Sequence, residues 1–108
     1  MTLKCKPWTA RIDSMPPKPK TLYVNGEIEV GNPGVVASLT KREPQGINAS
    51  ILILDLTTHQ KPGNFPQQVT WVKVDFSEEV SANVAYGAVE IQMGGERVAF
   101  VDHIEQVS

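Results

Sequence analysis

The sequence predicts an all-β domain, an immunoglobulin-like β-sandwich of about 6–7 antiparallel strands. Apolar and polar residues alternate from residue 21 onward, which is the pattern of strands with one buried face. Proline, glycine and asparagine residues that favour turns interrupt this alternation at regular intervals. A chain of 108 residues is long enough for one hydrophobic core and therefore for one domain. A small β-barrel is the alternative, because barrels show the same alternation.

The first 20 residues differ from the rest in composition, with five basic side chains against one acidic side chain. They end in a segment, Pro16-Pro17-Lys18-Pro19, whose prolines remove backbone donors and favour extended geometry. We interpret this segment as a stiff connector, and the residues before it as an arm or one short strand. One face of such a strand would carry Trp8, Ala10 and Ile12. The sequence thus predicts an N-terminal arm over residues 1–20 and a single β-domain over residues 21–108.

Five alternating runs supply most of the predicted strands of this domain. Within the first run, Asn25-Gly26 matches a hairpin turn, although a bulge or a continuous strand competes with it. Gly94-Gly95 separates the last two runs and predicts a two-residue hairpin, because such turns need positive φ. The runs are residues 22–30, 35–40, 71–76, 88–93 and 97–104.

Residues 77–85 are the best place for a helix in this sequence. Ser77 can cap a helix, and the acidic residues that follow it suit the positive end of a helix dipole. A segment of this length is marginal as an isolated helix. We therefore favour a non-helical segment here, with a single helical turn as the less favoured alternative.

One run, from Ile51 to Leu56, is apolar on both faces and so departs from the alternation. A strand of this kind is normally covered on both faces. We expect Leu52, Leu54 and Leu56 on the outer face, covered by the N-terminal segment or by a second subunit. This is the possible self-association strand. Its aggregation-prone composition favours a central position in the sheet.

No motif for catalysis, metal binding or cofactor binding is recognisable. The sole cysteine, Cys5, excludes an internal disulfide, and with His59 and His103 it lacks the spacing of a metal site. No nucleophile elbow or phosphate-binding loop is present. The net charge of −2, with the acidic residues concentrated toward the C-terminus, argues against nucleic-acid binding. We therefore expect a protein that is not an enzyme and that holds no metal or cofactor.

The chain carries no sign of a membrane segment or of secretion. No stretch of about 18 consecutive apolar residues occurs, so we expect no membrane insertion. No apolar segment follows the first lysines, so a native start at Met1 predicts a cytoplasmic protein.

These observations favour a non-enzymatic binding or structural module that works through end loops or an edge strand. Phe65 is the candidate aromatic anchor, unless it folds back over the end of the core. Pro16-Pro17-Lys18-Pro19 also fits a proline-rich linear motif. Two alternatives stay open: a protease inhibitor that presents proline-stiffened loops, and a small enzyme with an unrecognised site. The candidate partner-binding loops are Asn32-Pro33-Gly34, Pro44-Gln45-Gly46 and Pro62-Gly63-Asn64-Phe65-Pro66.

Overall fold

Eight β-strands are present in residues 4–81 and 85–107, the part of the chain that the computed structural model describes. They form two four-stranded sheets packed as a β-sandwich, which confirms the all-β prediction. The first sheet has the order β5-β2-β1-β8, and the second sheet has the order β3-β4-β6-β7. The strands are β1 (Thr9–Asp13), β2 (Thr21–Val30), β3 (Val35–Lys41), β4 (Ile51–Gln60), β5 (Thr70–Glu79), β6 (Ala88–Met93), β7 (Glu96–Val101) and β8 (Glu105–Val107).

Both sheets are mixed, whereas the sequence predicts antiparallel strands only. β1 pairs with β8 in parallel, and β4 pairs with β6 in parallel. All other neighbours are antiparallel. The alternation of apolar residues reports which face of a strand is buried, but it contains no information about the direction of the neighbouring strand. The pattern therefore could not predict which strands run parallel to each other.

β1 lies in the middle of the first sheet, between β2 and β8, and is not part of an arm. This corrects the expected boundary at residue 20. Ala10 and Ile12 are only 6% and 3% exposed, because they point into the core together with the half-buried Trp8. Residues 14–20, including the exposed Pro16-Pro17-Lys18-Pro19, form the loop that joins β1 to β2. The proline-rich segment is thus a loop inside the domain. It follows β1 and does not separate β1 from the other strands.

β4 is a central strand, as its composition predicts, but the expected orientation of its side chains is wrong. Leu52, Leu54 and Leu56 point between the sheets and are at most 2% exposed. Ile51 and Ile53 lie on the outer face and are half-buried. A shift of one residue exchanges the two faces of a strand. The single charged residue of the run, Asp55, lies on the outer face with the isoleucines and was the signal for the correct phase.

The turn predictions have mixed outcomes. Gly94 and Gly95 have φ values of 61° and 87° and join β6 to β7, which confirms the predicted hairpin. Asn25 and Gly26 continue β2 without a turn, so the continuous strand was the correct alternative. The proposed helical turn is absent at Ser77–Glu79, which belong to β5, and residues 82–84 lie outside the described residues.

Residue 26 must be glycine, because the indole ring of Trp8 lies where any larger side chain at this position would project. A Cβ atom there would overlap the six-membered ring of the indole. We expect Gly26→Ala to lower the free energy of unfolding by about 1–3 kcal/mol, because overpacking displaces a rigid ring. Gly31→Ala is the matched control, since no atom lies within 4 Å of a Cβ at residue 31. Chemical denaturation of both variants checks this, and equal stabilities would contradict the proposed contact.

Candidate functional site

The three predicted binding loops do not lie together: two are at one end of the sandwich, and the third is at the other end. Asn32-Pro33-Gly34 precedes β3 and Pro44-Gln45-Gly46 follows it, so the length of β3 separates them by roughly 20 Å. Pro62–Pro66 follows β4 and lies at the same end as Asn32. The side-chain amides of Asn32 and Gln60 join these two segments by reciprocal hydrogen bonds of 2.8 and 3.0 Å. The loops therefore do not form a single surface.

Phe65 does not project from its loop. Its ring is half-buried and occupies the space where a side chain at Gly34 would project. The hollow beside it, of about 270 Å³, is lined mainly by polar side chains. This end of the molecule therefore offers no exposed aromatic anchor at Phe65.

The β3–β4 loop, residues 42–50, is anchored by side-chain hydrogen bonds at the other end of the sandwich. The amide of Gln45 pairs with the backbone of Ile53: Nε2 donates to the carbonyl over 2.9 Å, and Oε1 accepts from the N–H over 2.8 Å. Gln45 thereby extends the pairing of β4 beyond the end of β3. At the other end of the loop, Asn48 Oδ1 accepts from the backbone N–H and the hydroxyl of Ser50.

This anchored loop borders a groove of about 440 Å³, which we call the end groove. Most of its side chains are small or apolar. Ile47, at the tip of the same loop, is fully exposed, although isoleucine is among the residues most often buried. The end groove is lined by Gln45, Gly46, Ala49, Ser50, Ile51, Ala85 and Tyr86.

The outer face of the second sheet continues from the end groove and carries a fixed polar network. Arg42 donates to Gln92, Gln92 donates to Glu90, and Arg97 donates two bonds of 3.0 and 2.6 Å to Glu90. Bonding from Gln92 and Arg97 holds the pKa of Glu90 below its ordinary value, against the opposing effect of burial. The guanidinium of Arg97 also lies over the ring of Phe100, 4.7 Å from its centre.

A β-bulge positions Arg97 in this network. Ile91 pairs with Ala99, but Gln92 pairs with Arg97, so β7 contains one extra residue, Val98, at this point. The bulge brings Arg97 to the same face as Phe100 and Glu90. A bulge on an edge strand also opposes pairing with further strands.

The other edge strands also have features that oppose pairing with a further strand. β8 has only three residues, and short edges are poor templates for strand addition. β3 and β5 pack against each other at the edges of the two sheets. An ion pair of 3.3 Å between Lys41 and Glu78 joins them. The geometry therefore favours a face or an end of the sandwich, rather than an edge strand, as a working surface.

Lys41 lies close to Tyr86 of the end groove and donates a hydrogen bond of 3.3 Å to Glu78. Burial alone would lower the pKa of Lys41, but its interactions with Tyr86 and Glu78 outweigh this effect and raise the pKa. A lysine whose pKa is raised stays protonated at neutral pH, so it is a poor nucleophile and a poor general base.

The outer face of the first sheet is polar, and cationic side chains of the protein itself already lie over its aromatic rings. Lys6 lies over Trp71, 4.9 Å from the ring centre, and Arg11 lies over Tyr23 at 4.6 Å. Lys6 also pairs with Glu27 at 3.4 Å. These contacts within the sheet are typical of a solvated face, and they leave one side of each ring unavailable to a ligand.

Two further findings concern metals and membranes. Among residues 4–81 and 85–107, no group of three or more histidine, cysteine, aspartate or glutamate side chains is placed to hold a metal ion. His59 and His103 are both exposed. The same part of the chain contains no helix of the length and apolarity needed to cross a membrane.

Comparison with known proteins adds no relative: no protein-family model, no curated protein and no solved structure matches this chain.

The sequence pointed to part of this site and missed the rest. Pro44-Gln45-Gly46 was predicted as a binding loop and does border the end groove. Tyr86 was missed because it meets this loop only in the folded chain. Ile47 could have been noticed, since it is a lone apolar residue between two turn-forming segments.

Proposed function

We propose that this chain is a non-enzymatic protein-binding module whose working surface is the end groove with the loop around it. The observation that carries the proposal is the full exposure of Ile47 beside a groove with mainly apolar walls. An exposed aliphatic side chain next to an apolar groove is typical of a surface that another protein covers.

The rigidity of the loop supports the same function. The Gln45 amide holds it to the backbone of Ile53, and Asn48 closes its other end. A loop that is already ordered loses little conformational entropy when a partner binds. Ile47 is thus presented on a preorganised support.

Two charged groups beside this surface have structural partners. Glu90 is bonded to Gln92 and Arg97, and Lys41 is bonded to Glu78 and lies close to Tyr86. These pairings hold each group in its charged form, which suits a fixed surface better than proton transfer. They favour a binding module over a small enzyme.

The inhibitor alternative has less support from the geometry. An inhibitor that enters one cleft with several proline-stiffened loops needs those loops at one end. The loops with Pro33 and Pro62 lie at one end of the sandwich, and the loop with Pro44 lies at the other.

The proposal is tested with a random peptide library displayed on phage, selected on the immobilised wild-type protein. We expect enriched peptides with an apolar anchor residue. Their affinity should fall by at least about tenfold for Ala49→Arg, which fills the end groove from an exposed position. Gln68→Arg is the control, because it adds the same charge to an exposed residue at the opposite end.

Two results would overturn this function. One is the absence of any enriched peptide, and the other is equal binding of enriched peptides to Ala49→Arg and to the wild type. Thermal melting of both variants checks that the folds are equivalent, as expected for substitutions at exposed residues.

A further inference from the structure

We infer that the partner of the end groove is a second copy of this chain, with Ile47 of each copy inserted into the end groove of the other. This inference rests on the proposed function, because it uses the same surface. It adds the identity of the partner and a two-fold symmetric geometry.

Ile47 lies next to the end groove in the same loop. Ile47 directly follows Gly46 and lies two residues before Ala49, and both of these neighbours line the end groove. A projecting side chain and a receptive groove thus belong to one patch. A patch of this kind is self-complementary, because a two-fold rotation brings each projection to the groove of the other copy.

Ile47 does not fill the end groove of its own chain. The side chain is fully exposed, and the groove of about 440 Å³ is larger than one isoleucine side chain. The groove therefore has room for an isoleucine side chain, and Ile47 of a second molecule can supply it.

The net charge of the β3–β4 loop is compatible with self-association. The described β3–β4 loop carries one basic and one acidic side chain, Arg42 and Glu43, and so it is neutral. Two copies of a neutral patch meet without the repulsion that opposes self-association of a charged surface.

Further apolar side chains lie beside the end groove. A stable interface buries about 800 Å² on each partner, more than one isoleucine supplies. Ile51 and Ile53 are half-buried on the adjoining outer face. Beyond them, the Arg42, Gln92, Glu90 and Arg97 network lies on the same face, and Arg97 covers one side of the partly exposed Phe100 ring. The interface would therefore have a small apolar centre at Ile47, Ile51 and Ile53 and a polar rim. A face-to-face contact also agrees with the bulged edge at β7, which opposes strand addition.

The oligomeric state is measured by sedimentation velocity of the full chain over a hundredfold dilution. We expect the wild type to form a dimer that dissociates on dilution. Ile47→Asp should raise the dimer dissociation constant by at least about tenfold, because it places a charge in an apolar groove. Val69→Asp is the matched control, since Val69 is also largely exposed but lies in the β4–β5 loop.

A mixing experiment tests the reciprocal geometry. Ile47→Asp and Ala49→Arg should each be monomeric alone, and an equimolar mixture should form heterodimers. In the mixture, the new carboxylate meets the new guanidinium in one groove, and the native isoleucine enters the native groove in the other. Restored association in the mixture is a result that general loss of folding cannot produce.

The outcomes separate this inference from the proposed function. A wild type that stays monomeric at every concentration overturns self-association. So does an Ile47→Asp variant that dimerises as tightly as the wild type. If phage-selected peptides still distinguish Ala49→Arg from the wild type in that case, the surface binds a different protein. If they do not, both proposals are wrong.

Discussion

Leu54→Ala is expected to lower the free energy of unfolding by about 2–5 kcal/mol, a large part of the stability of a domain of this size. Leu54 is 0% exposed and lies between the two sheets on the central strand β4. Truncation removes apolar surface from the core and leaves a cavity that flanking strands cannot fill.

Ile53→Ala is the matched control for this prediction, one residue earlier on the same strand. Ile53 lies on the outer face and is half-buried, so its truncation should cost about 1 kcal/mol. Denaturant titration of both variants gives the comparison. A larger loss for Ile53→Ala than for Leu54→Ala would mean that the faces of β4 are assigned the wrong way round.

Removal of residues 1–13 is expected to abolish the cooperative unfolding transition altogether. The deletion takes away β1, which pairs with β2 on one side and with β8 on the other. It also removes Ala10 and Ile12 from the core and leaves backbone groups of two strands without partners. Circular dichroism and thermal melting of the truncated chain measure the effect.

The control for this truncation changes the loop and keeps the strand. Replacing Pro16 and Pro19 with alanine alters only exposed residues between β1 and β2, and should lower the free energy of unfolding by no more than about 1–2 kcal/mol. A folded chain without residues 1–13 would show that these residues are an arm after all. A binding defect in a truncated chain is therefore not a measure of the proline-rich segment alone.

The proposed working surface differs from the edge strand and the several loops that the sequence suggested. The structure divides the loops between two ends, and each edge strand has a feature that opposes pairing. The end groove combines a loop anchored by side-chain hydrogen bonds, an exposed isoleucine and the neighbouring half-buried Ile51 and Ile53. This combination makes Ile47 and Ala49 the two most informative positions for substitution.

The sequence by itself determined that this protein is an all-β domain, and it located most of the strands. Residues 22–30 and 88–93 lie within β2 and β6, because alternation and β-branched side chains are local properties. The Gly94-Gly95 hairpin was equally local, since only those two residues need positive φ. Each of these features depends on residues that are close together in the chain.

Only the tertiary structure decided which strands run in parallel and which loops share an end. β1 entered the sheet because β2 and β8 satisfy its backbone, which its basic, proline-rich flank did not indicate. Ile47 and Tyr86 became neighbours of one groove only when distant segments packed together. Such contacts depend on pairing between remote residues, and a local pattern of period two does not encode that pairing.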